Sequence, residues 1–294
     1  MGRNIIQNME IIKKILVVGL LVSSMTACKQ TNVSDNIFLS EIDDVENACE
    51  TFGVILPHHL LVEQYIAEVY GSLSDCGFER VIVVSPNHFN YGARYIQSSD
   101  KGVLSEMDNL DVENILMLKR SSPLSIEPRY FSLEHGISVQ LEFLNQYLPE
   151  AKVIPIIIKK GTPVNQLELL VGAIMSLDLS NTLVVASIDF THFEGEDAAL
   201  INDSNTVTWM QEFSENKGSE NMYEELLNLV KALDETNEEA VAFDSVESLY
   251  VFLSLMSRTE NFNFGFLRRT SSASMLGLTD PLDNTSHIFA KFSK

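Results

Sequence analysis

Short apolar runs alternate with amphipathic stretches along most of this chain. Phe52 to Leu56 is an apolar run stopped by Pro57, which reads as a buried strand. Val62, Tyr65, Ile66, Val69 and Leu73 follow at helical spacing, and Gly77 ends that segment. Val81-Ile82-Val83-Val84, stopped by Pro86, predicts a second strand. A helix is expected near Val112 to Leu118, and another from His135 to Leu148 through Ile137, Leu141 and Leu144. Val153 to Ile158 reads as a third strand, with Pro155 pointing to an edge position or a bulge. Leu167 to Leu177 predicts a helix and Leu183 to Ser187 a fourth strand. The acidic stretch 194–243 reads as helices with polar connections, and Asp244 to Met256 as a further helix. Phe262 to Leu267 and His287 to Phe292 close the pattern as late strands. Strands alternating with helices at this spacing predict an α/β fold, with a mostly parallel central sheet flanked by helices. No internal repeat or linker interrupts residues 50–294, so one domain is expected there.

The first residues follow another logic. Lys13 and Lys14 precede the short apolar run Ile15 to Val22, and small residues lead to Met25-Thr26-Ala27-Cys28. That order is a basic region, an apolar region and a cleavage site, and the run is too short for a comfortable spanning helix. Cys28 directly after Ala27 resembles a bacterial lipobox, in which this Cys is lipidated and becomes the new N-terminus. Residues 1–27 are thus expected to be a lipoprotein signal peptide and residues 28–49 a polar tether. The protein would be an extracytoplasmic, membrane-anchored bacterial lipoprotein, meeting the membrane through its lipid.

Composition narrows the function classes. The 294 residues are 45% hydrophobic and 21% charged, ordinary for a globular protein and wrong for a disordered or fibrous one. Acids outnumber bases 41 to 20, a formal charge of −21. Such a chain repels phosphate backbones, so nucleic acid is not an expected partner. Cys49 and Cys76, the thiols left beyond the leader, could form one disulfide in an oxidising compartment.

The histidines carry the chemistry. His58 and His59 directly follow the first strand, His88 follows the second, and Asp189 and His192 follow the fourth. In open α/β sheets the ligand crevice lies outside the carboxyl ends of the strands, so three strands are expected to deliver imidazole to one edge. Imidazole at that density suits a borderline transition metal such as Fe, Zn or Cu, and equally acid–base work near neutral pH. Asp189 could orient an imidazole, bind metal or carry a proton. His135 sits on the first turn of its helix. His59, adjacent to His58, should point elsewhere, and His287 reads as structural. No Gly-x-Gly-x-x-Gly, P-loop or Gly-x-Ser-x-Gly sequence is present.

Taken in order, Pro57-His58, Ser85-Pro86-Asn87-His88, Glu134-His135 with Gln140 to Leu144, Val153-Ile154-Pro155-Ile156 and Ser187-Ile188-Asp189-Phe190-Thr191-His192 resemble the Memo family. Its prokaryotic members are often called AmmeMemoRadiSam system protein B, and the match runs over about residues 50–292. The family is similar in fold to class III extradiol dioxygenases, which use non-haem Fe(II). The resemblance therefore implies an extradiol-dioxygenase-like fold and a metal crevice in which His58 and His88 match ligands. In it, His192 matches an acid/base histidine, and Asp189 and His135 line the same space. The chain departs from the family's usual Pro-His-Ala-Gly-Tyr at Pro57-His58-His59-Leu60-Leu61. It also has no Cys in Thr270 to Ser274, and no Glu is identified as a third ligand. Two readings follow. One is an enzyme with a divalent transition metal, Fe(II) ahead of Zn or Cu, using His192, Asp189 and His135 on an unknown small-molecule substrate. The other is a non-catalytic metal- or ligand-binding lipoprotein.

Overall fold

The structure is a computed structural model that describes residues 48–101, 109–231, 240–259, 261–279 and 283–294. The expected signal peptide, Cys28 and the tether up to residue 47 lie outside the described residues.

Among the described residues, eight strands form one sheet. They are β1 (Thr51–Leu56), β2 (Arg80–Pro86), β3 (Ile96–Ser98), β4 (Ser125–Ile126), β5 (Lys152–Ile158), β6 (Thr182–Ser187), β9 (Asn263–Ser271) and β10 (Ser286–Ser293), and their spatial order is β4-β3-β5-β2-β6-β1-β10-β9. The four central strands β5, β2, β6 and β1 are parallel neighbours. Both flanks join them antiparallel, β10 on one side and β3 on the other. The expected mostly parallel α/β sheet is therefore present. A separate two-stranded ribbon pairs β7 (Phe190–His192) with β8 (Val241–Phe243).

The central strands are Val- and Ile-rich because both of their faces are covered. On one face lie α1 (Glu63–Leu73) and α3 (His135–Tyr147), which pack on each other. Ile66, Val69, Tyr70 and Leu73 make the buried stripe of α1, and Ile137, Leu141 and Leu144 that of α3. On the other face α4 (Val164–Met175) packs on α7 (Val246–Ser257), with α2 (Val112–Ser121) beside α4. α7 is buried on every side from Val246 to Met256, as expected of a helix that is apolar almost all round. α5 (Glu196–Glu215) packs on β9, α6 (Met222–Leu229) contacts α7, and the short α8 (Ser272–Leu276) follows β9.

Three expectations are corrected. The strand containing Pro155 is neither an edge strand nor bulged: β5 lies between β3 and β2, and Pro155 pairs in register with Val83. It is tolerated because β3 stops at Ser98, whose Oγ donates to the Pro155 carbonyl at 2.7 Å. The proline's missing N–H therefore faces a gap in the ladder rather than a partner. The helix expected from Asp244 begins at Val246 with Ser245 as its N-cap, and the residues before it form β8 rather than the end of a helical stretch. The last residues of the expected tether belong to the fold. Cys49 lies in a short 3-10 turn (Ala48–Glu50) and is bonded to Cys76, with Cα atoms 4.9 Å apart.

That disulfide links positions 27 residues apart and fastens the start of β1 to the segment after α1. Closing a loop of that size removes roughly 3–4 kcal/mol worth of freedom from the unfolded chain. Reduction, or Cys49→Ser, is expected to lower the melting temperature by about 10 °C. A melting curve indifferent to reductant would show that this cross-link contributes nothing to the folded state.

Candidate metal centre

Register explains why separate loops meet. Ile55 of β1 lies level with Ala186 of β6, and Ala186 is level with Val84 of β2. Counting three residues onward brings His58, Asp189 and Asn87 to one height, with His88 one residue further. Because β6 sits between β2 and β1, these loops share the crevice at the carboxyl ends of the strands.

His58 is the inner wall, its side chain 2% exposed. Its tautomer follows from its neighbours. The Gln140 amide donates to the Pro57 carbonyl at 2.9 Å and to Ser187 Oγ at 3.2 Å, while its Oε1 accepts from the Tyr70 hydroxyl at 2.9 Å. Ser187 Oγ spends its single proton on the Gly136 carbonyl, 2.6 Å away. Ser187 can therefore only accept from His58 Nδ1, 3.2 Å away, so Nδ1 carries the hydrogen and Nε2 is left as a lone pair. That nitrogen faces Asp244 Oδ2 at 3.3 Å and Asp189 Oδ2 at 3.5 Å. Burial first, and then the charges of neighbouring histidines, push the His58 pKa well below its ordinary value.

His88 is oriented by one carboxylate. Glu134, itself 1% exposed, accepts from the His88 backbone N–H at 2.9 Å and from its Nδ1. His88 Nε2 is thereby turned toward Asp244 Oδ2, 3.6 Å away. Burial opposes charging His88, but Asp244 and Glu134 outweigh it and raise its pKa to about 10.

The third imidazole of the group is His135, not His192. Ligand nitrogens of His58, His88 and His135 all lie within 4.8 Å of one another, and the His88 and His135 rings are 4.1 Å apart. α3 places His135 there, since its first turn presses on the end of β2. Gly136 makes that approach possible, because a Cβ at this position would overlap Ser85 Oγ. Glu134 also caps this helix, accepting from the Gly136 N–H at 3.4 Å. His135 is the outer member, its side chain 50% exposed. Metal bonds to imidazole of about 2.0–2.1 Å let two donors on one ion stand up to roughly 4.2 Å apart. The trio is thus less than about an ångström from closing on a shared ion.

Two carboxylates complete the space. Asp189 accepts from the His58 backbone N–H at 3.1 Å. Burial, and then the charge of Asp244, raise its pKa well above the usual carboxylate range. Asp244 is absent from the sequence-based site. The β7–β8 ribbon delivers it: Phe190 pairs with Phe243, the Asp189 N–H donates to Asp244 Oδ2 at 3.2 Å, and the Asp244 N–H donates to the Asp189 carbonyl at 3.1 Å. Asp244 Oδ1 is buried with no hydrogen-bond partner among the described residues. The sequence signal was faint: three apolar residues, then Asp244, then the capping Ser245.

The remaining histidines separate as expected in part. His59 turns away, its Nδ1 accepting from the Leu61 N–H at 3.2 Å and its ring 5.2 Å from that of His287. His287 is fully buried, with Nδ1 3.3 Å from Thr270 Oγ1. His192 is outside the close trio; its Nδ1 is buried with no hydrogen-bond partner among the described residues. Burial lowers its pKa, the charge of His88 adds to this, and Asp244 opposes it, so it stands within electrostatic reach of the centre.

The Memo family, described as "Memo-like protein", matches residues 28–281. A MEMO1 family protein of Methanopyrus kandleri is 26% identical over 172 residues, covering 55% of this chain and 60% of that protein. A MEMO1 family protein of Sulfolobus acidocaldarius is 30% identical over 168 residues, covering 53% and 58%. The match therefore spans less than two thirds of the length of these curated relatives. Among solved structures, an uncharacterized protein of Escherichia coli K12 superposes with a TM-score of 0.51 at 10% identity, covering 81% of this chain and 98% of that one, a likeness of fold alone. With its ordered histidine segments, its mostly parallel sheet and a family match over nearly its whole length, this chain belongs to the Memo family.

Proposed function

We propose that this protein is a metal-centred redox protein of dioxygenase-like type, acting on a small molecule at the crevice of His58, His88, His135 and Asp244. One observation carries the reading. A lone pair on His58 Nε2 faces carboxylate oxygens at 3.3 and 3.5 Å, and acceptors converge like this only around a shared cation or proton. His58 and His88 are the inner ligands. Asp244, opposite both, makes a two-histidine, one-carboxylate set of the kind that suits non-haem Fe(II), and His135 offers a further imidazole for Zn or Cu. Iron held there would supply one-electron and oxygen chemistry.

The chain's own residues do the rest. Ser187 and Glu134 hold the two imidazoles by Nδ1, so both present Nε2 without rearranging. Asp189, with its raised pKa, holds a proton beside His58. His192, its pKa lowered by burial and its buried Nδ1 without a partner among the described residues, takes or gives a proton at the substrate. The test is metal analysis of protein purified without added metal or a histidine tag. His58→Ala and His88→Ala should each lower metal stoichiometry, whereas His192→Ala should leave it unchanged and lower turnover about 10²–10⁴-fold. Unchanged metal in the first two variants would sink the reading. Bound metal without turnover would favour the non-catalytic binding protein.

We further propose that Cys28 anchors the chain to a membrane outside the cytoplasm. The Cys49–Cys76 disulfide supports an oxidising compartment. Among the described residues no helix is long and apolar enough to cross a membrane; the lipid attachment rests on the Met25-Thr26-Ala27-Cys28 sequence. Labelled fatty acid should be incorporated by the wild type and lost in Cys28→Ser, which should also release the protein from membranes. One acyl chain holds only marginally, so firm attachment needs two or more. Failure of the wild type to take up label would refute the anchor.

A further inference from the structure

A cavity of about 660 Å³ opens at the end of the sheet opposite the histidines. Thr51 and Thr182, the first residues of β1 and β6, line it, whereas His58 and Asp189 follow the far ends of those strands. Its floor is Leu255 and Met256 of α7, both buried. Gly53 lets α7 sit this close, because a Cβ there would overlap Met256 Sδ. The walls are Phe52, Phe78, Met175 and Leu179, each packed on the core on one side and left half-covered on the other. Ser180, Asn181 and Lys294 form an exposed polar lip. Single apolar side chains in water are ordinary, but several gathered around one concavity of this size mark a surface that something covers.

The path of the chain says what covers it. Cys49 and Glu50, in the turn that leads into β1, line the cavity, and Cys49 is bonded to Cys76, another lining residue. The polypeptide arriving from the N-terminal side is therefore fastened at the lip. Its apolar residues are unevenly placed. Lys29 to Asn36 contain one, Val33, whereas Ile37 to Val45 contain Ile37, Phe38, Leu39, Ile42 and Val45. Phe38, Ile42 and Val45 recur at intervals of four and three, with Glu41, Asp43, Asp44 and Glu46 between and after them. A one-sided apolar pattern needs an apolar surface to cover it, and a leash that only spaces the domain needs no such pattern. Val45 stands four residues before Cys49 and Phe38 eleven. At up to about 3.3–3.6 Å per residue, both reach the cavity.

We propose that Phe38, Ile42 and Val45 seat in this cavity against Phe52, Phe78, Met175 and Leu179, docking the tether on the base of its own domain. The contact is intramolecular, so an effective concentration in the millimolar range favours it without strong affinity. Covering one large apolar side chain is worth roughly tenfold or more in such an equilibrium. The inference is independent of the metal-centred reading. With an anchor at Cys28, it cuts the free leash from the 20 residues before Ala48 to the 10 before Phe38. It also holds the end of the domain opposite the crevice toward the membrane.

The test is photo-crosslinking in the full chain carrying Cys28→Ser, with the Cys49–Cys76 disulfide intact. Phe38→p-benzoylphenylalanine should cross-link within its own molecule to Met175, Met256 or an adjoining wall residue, located by peptide mass spectrometry. The same probe at Thr31 should not. Leu179→Glu, which places a charge on the half-covered wall, should lower the yield at least tenfold. Cleavage after Glu41 and Glu46 by a glutamyl endopeptidase gives a second readout. It should be at least tenfold faster in the double variant Phe38→Ser, Ile42→Ser, whose changes lie outside the core of the domain. Cross-links elsewhere on the domain, or cleavage indifferent to the double variant, overturn the docking. Cross-links between two molecules would assign the cavity to a second copy and overturn it. A phospholipid retained there in native mass spectrometry, with the tether cut freely, would assign the cavity to lipid and overturn it as well.

Discussion

Metal affinity is expected to rise about tenfold for each pH unit through the neutral range, up to about pH 10. The cause is a single competing proton. Glu134 and Asp244 outweigh burial and hold His88 protonated up to about pH 10, yet a ligand nitrogen must present a lone pair, so binding releases that proton. His58 and His135 do not add to the slope near neutrality, since burial and nearby histidines keep both pKa values below the ordinary 6.5. Glu134→Gln keeps a hydrogen-bonding group beside His88 but removes the charge. It should move the curve to lower pH and lower the affinity of its high-pH plateau about 10–100-fold through lost orientation. In metal-free protein the same proton acts on folding. A raised histidine pKa stabilises the fold fully below the unfolded value of 6.5, and that contribution fades as pH rises toward 10. Chelator-competition titrations between pH 6 and 9 measure the slope. A flat affinity across that range would show that His88 is not the group the metal displaces.

Asp203→Ala is expected to cost about 3–5 kcal/mol in unfolding free energy. Asp203 is fully buried, and burial pushes its pKa up against the pull of Arg269. Its Oδ2 accepts from Arg269 Nε at 2.8 Å, and its Oδ1 accepts from Thr191 at 2.7 Å and Ser286 at 2.8 Å. Arg269, only 6% exposed, also meets Glu196. Removing the carboxylate leaves a guanidinium half-paired in the interior and two hydroxyls without their acceptor, which costs far more than breaking a surface pair. Because Thr191 precedes His192, the same network ties α5, β9 and β10 to the strand carrying the proposed proton carrier. Melting should fall by roughly 10–15 °C, and Asp203→Asn, which can still accept from both hydroxyls, should lose less. A loss below about 1 kcal/mol, the scale of exposed pairs, would show the network to be solvated.

His58, His88 and Asp189 were legible in the sequence because each lies just past the end of a strand, and parallel strands deliver their carboxyl ends to one edge; His192 instead lies within β7 and outside the close trio. Local patterns of two and 3.6 residues located the central strands and most helices for the same reason: burial on both faces leaves a continuous apolar run, and burial on one face leaves a stripe. What decides the centre is not local. His135 joins His58 and His88 only because Gly136 lets α3 press on β2. Asp244 arrives from 55 residues beyond Asp189 through a two-rung ribbon too short to leave a period. Glu134 looks like any helix cap until His88 docks on it. Pro155 looks like an edge residue because a missing N–H is a local fact, whereas the gap left by the end of β3 exists only in the assembled sheet. The sequence by itself determined which strands end in imidazole. Packing between distant segments decided which imidazoles meet, which nitrogen each presents, and which carboxylate faces them.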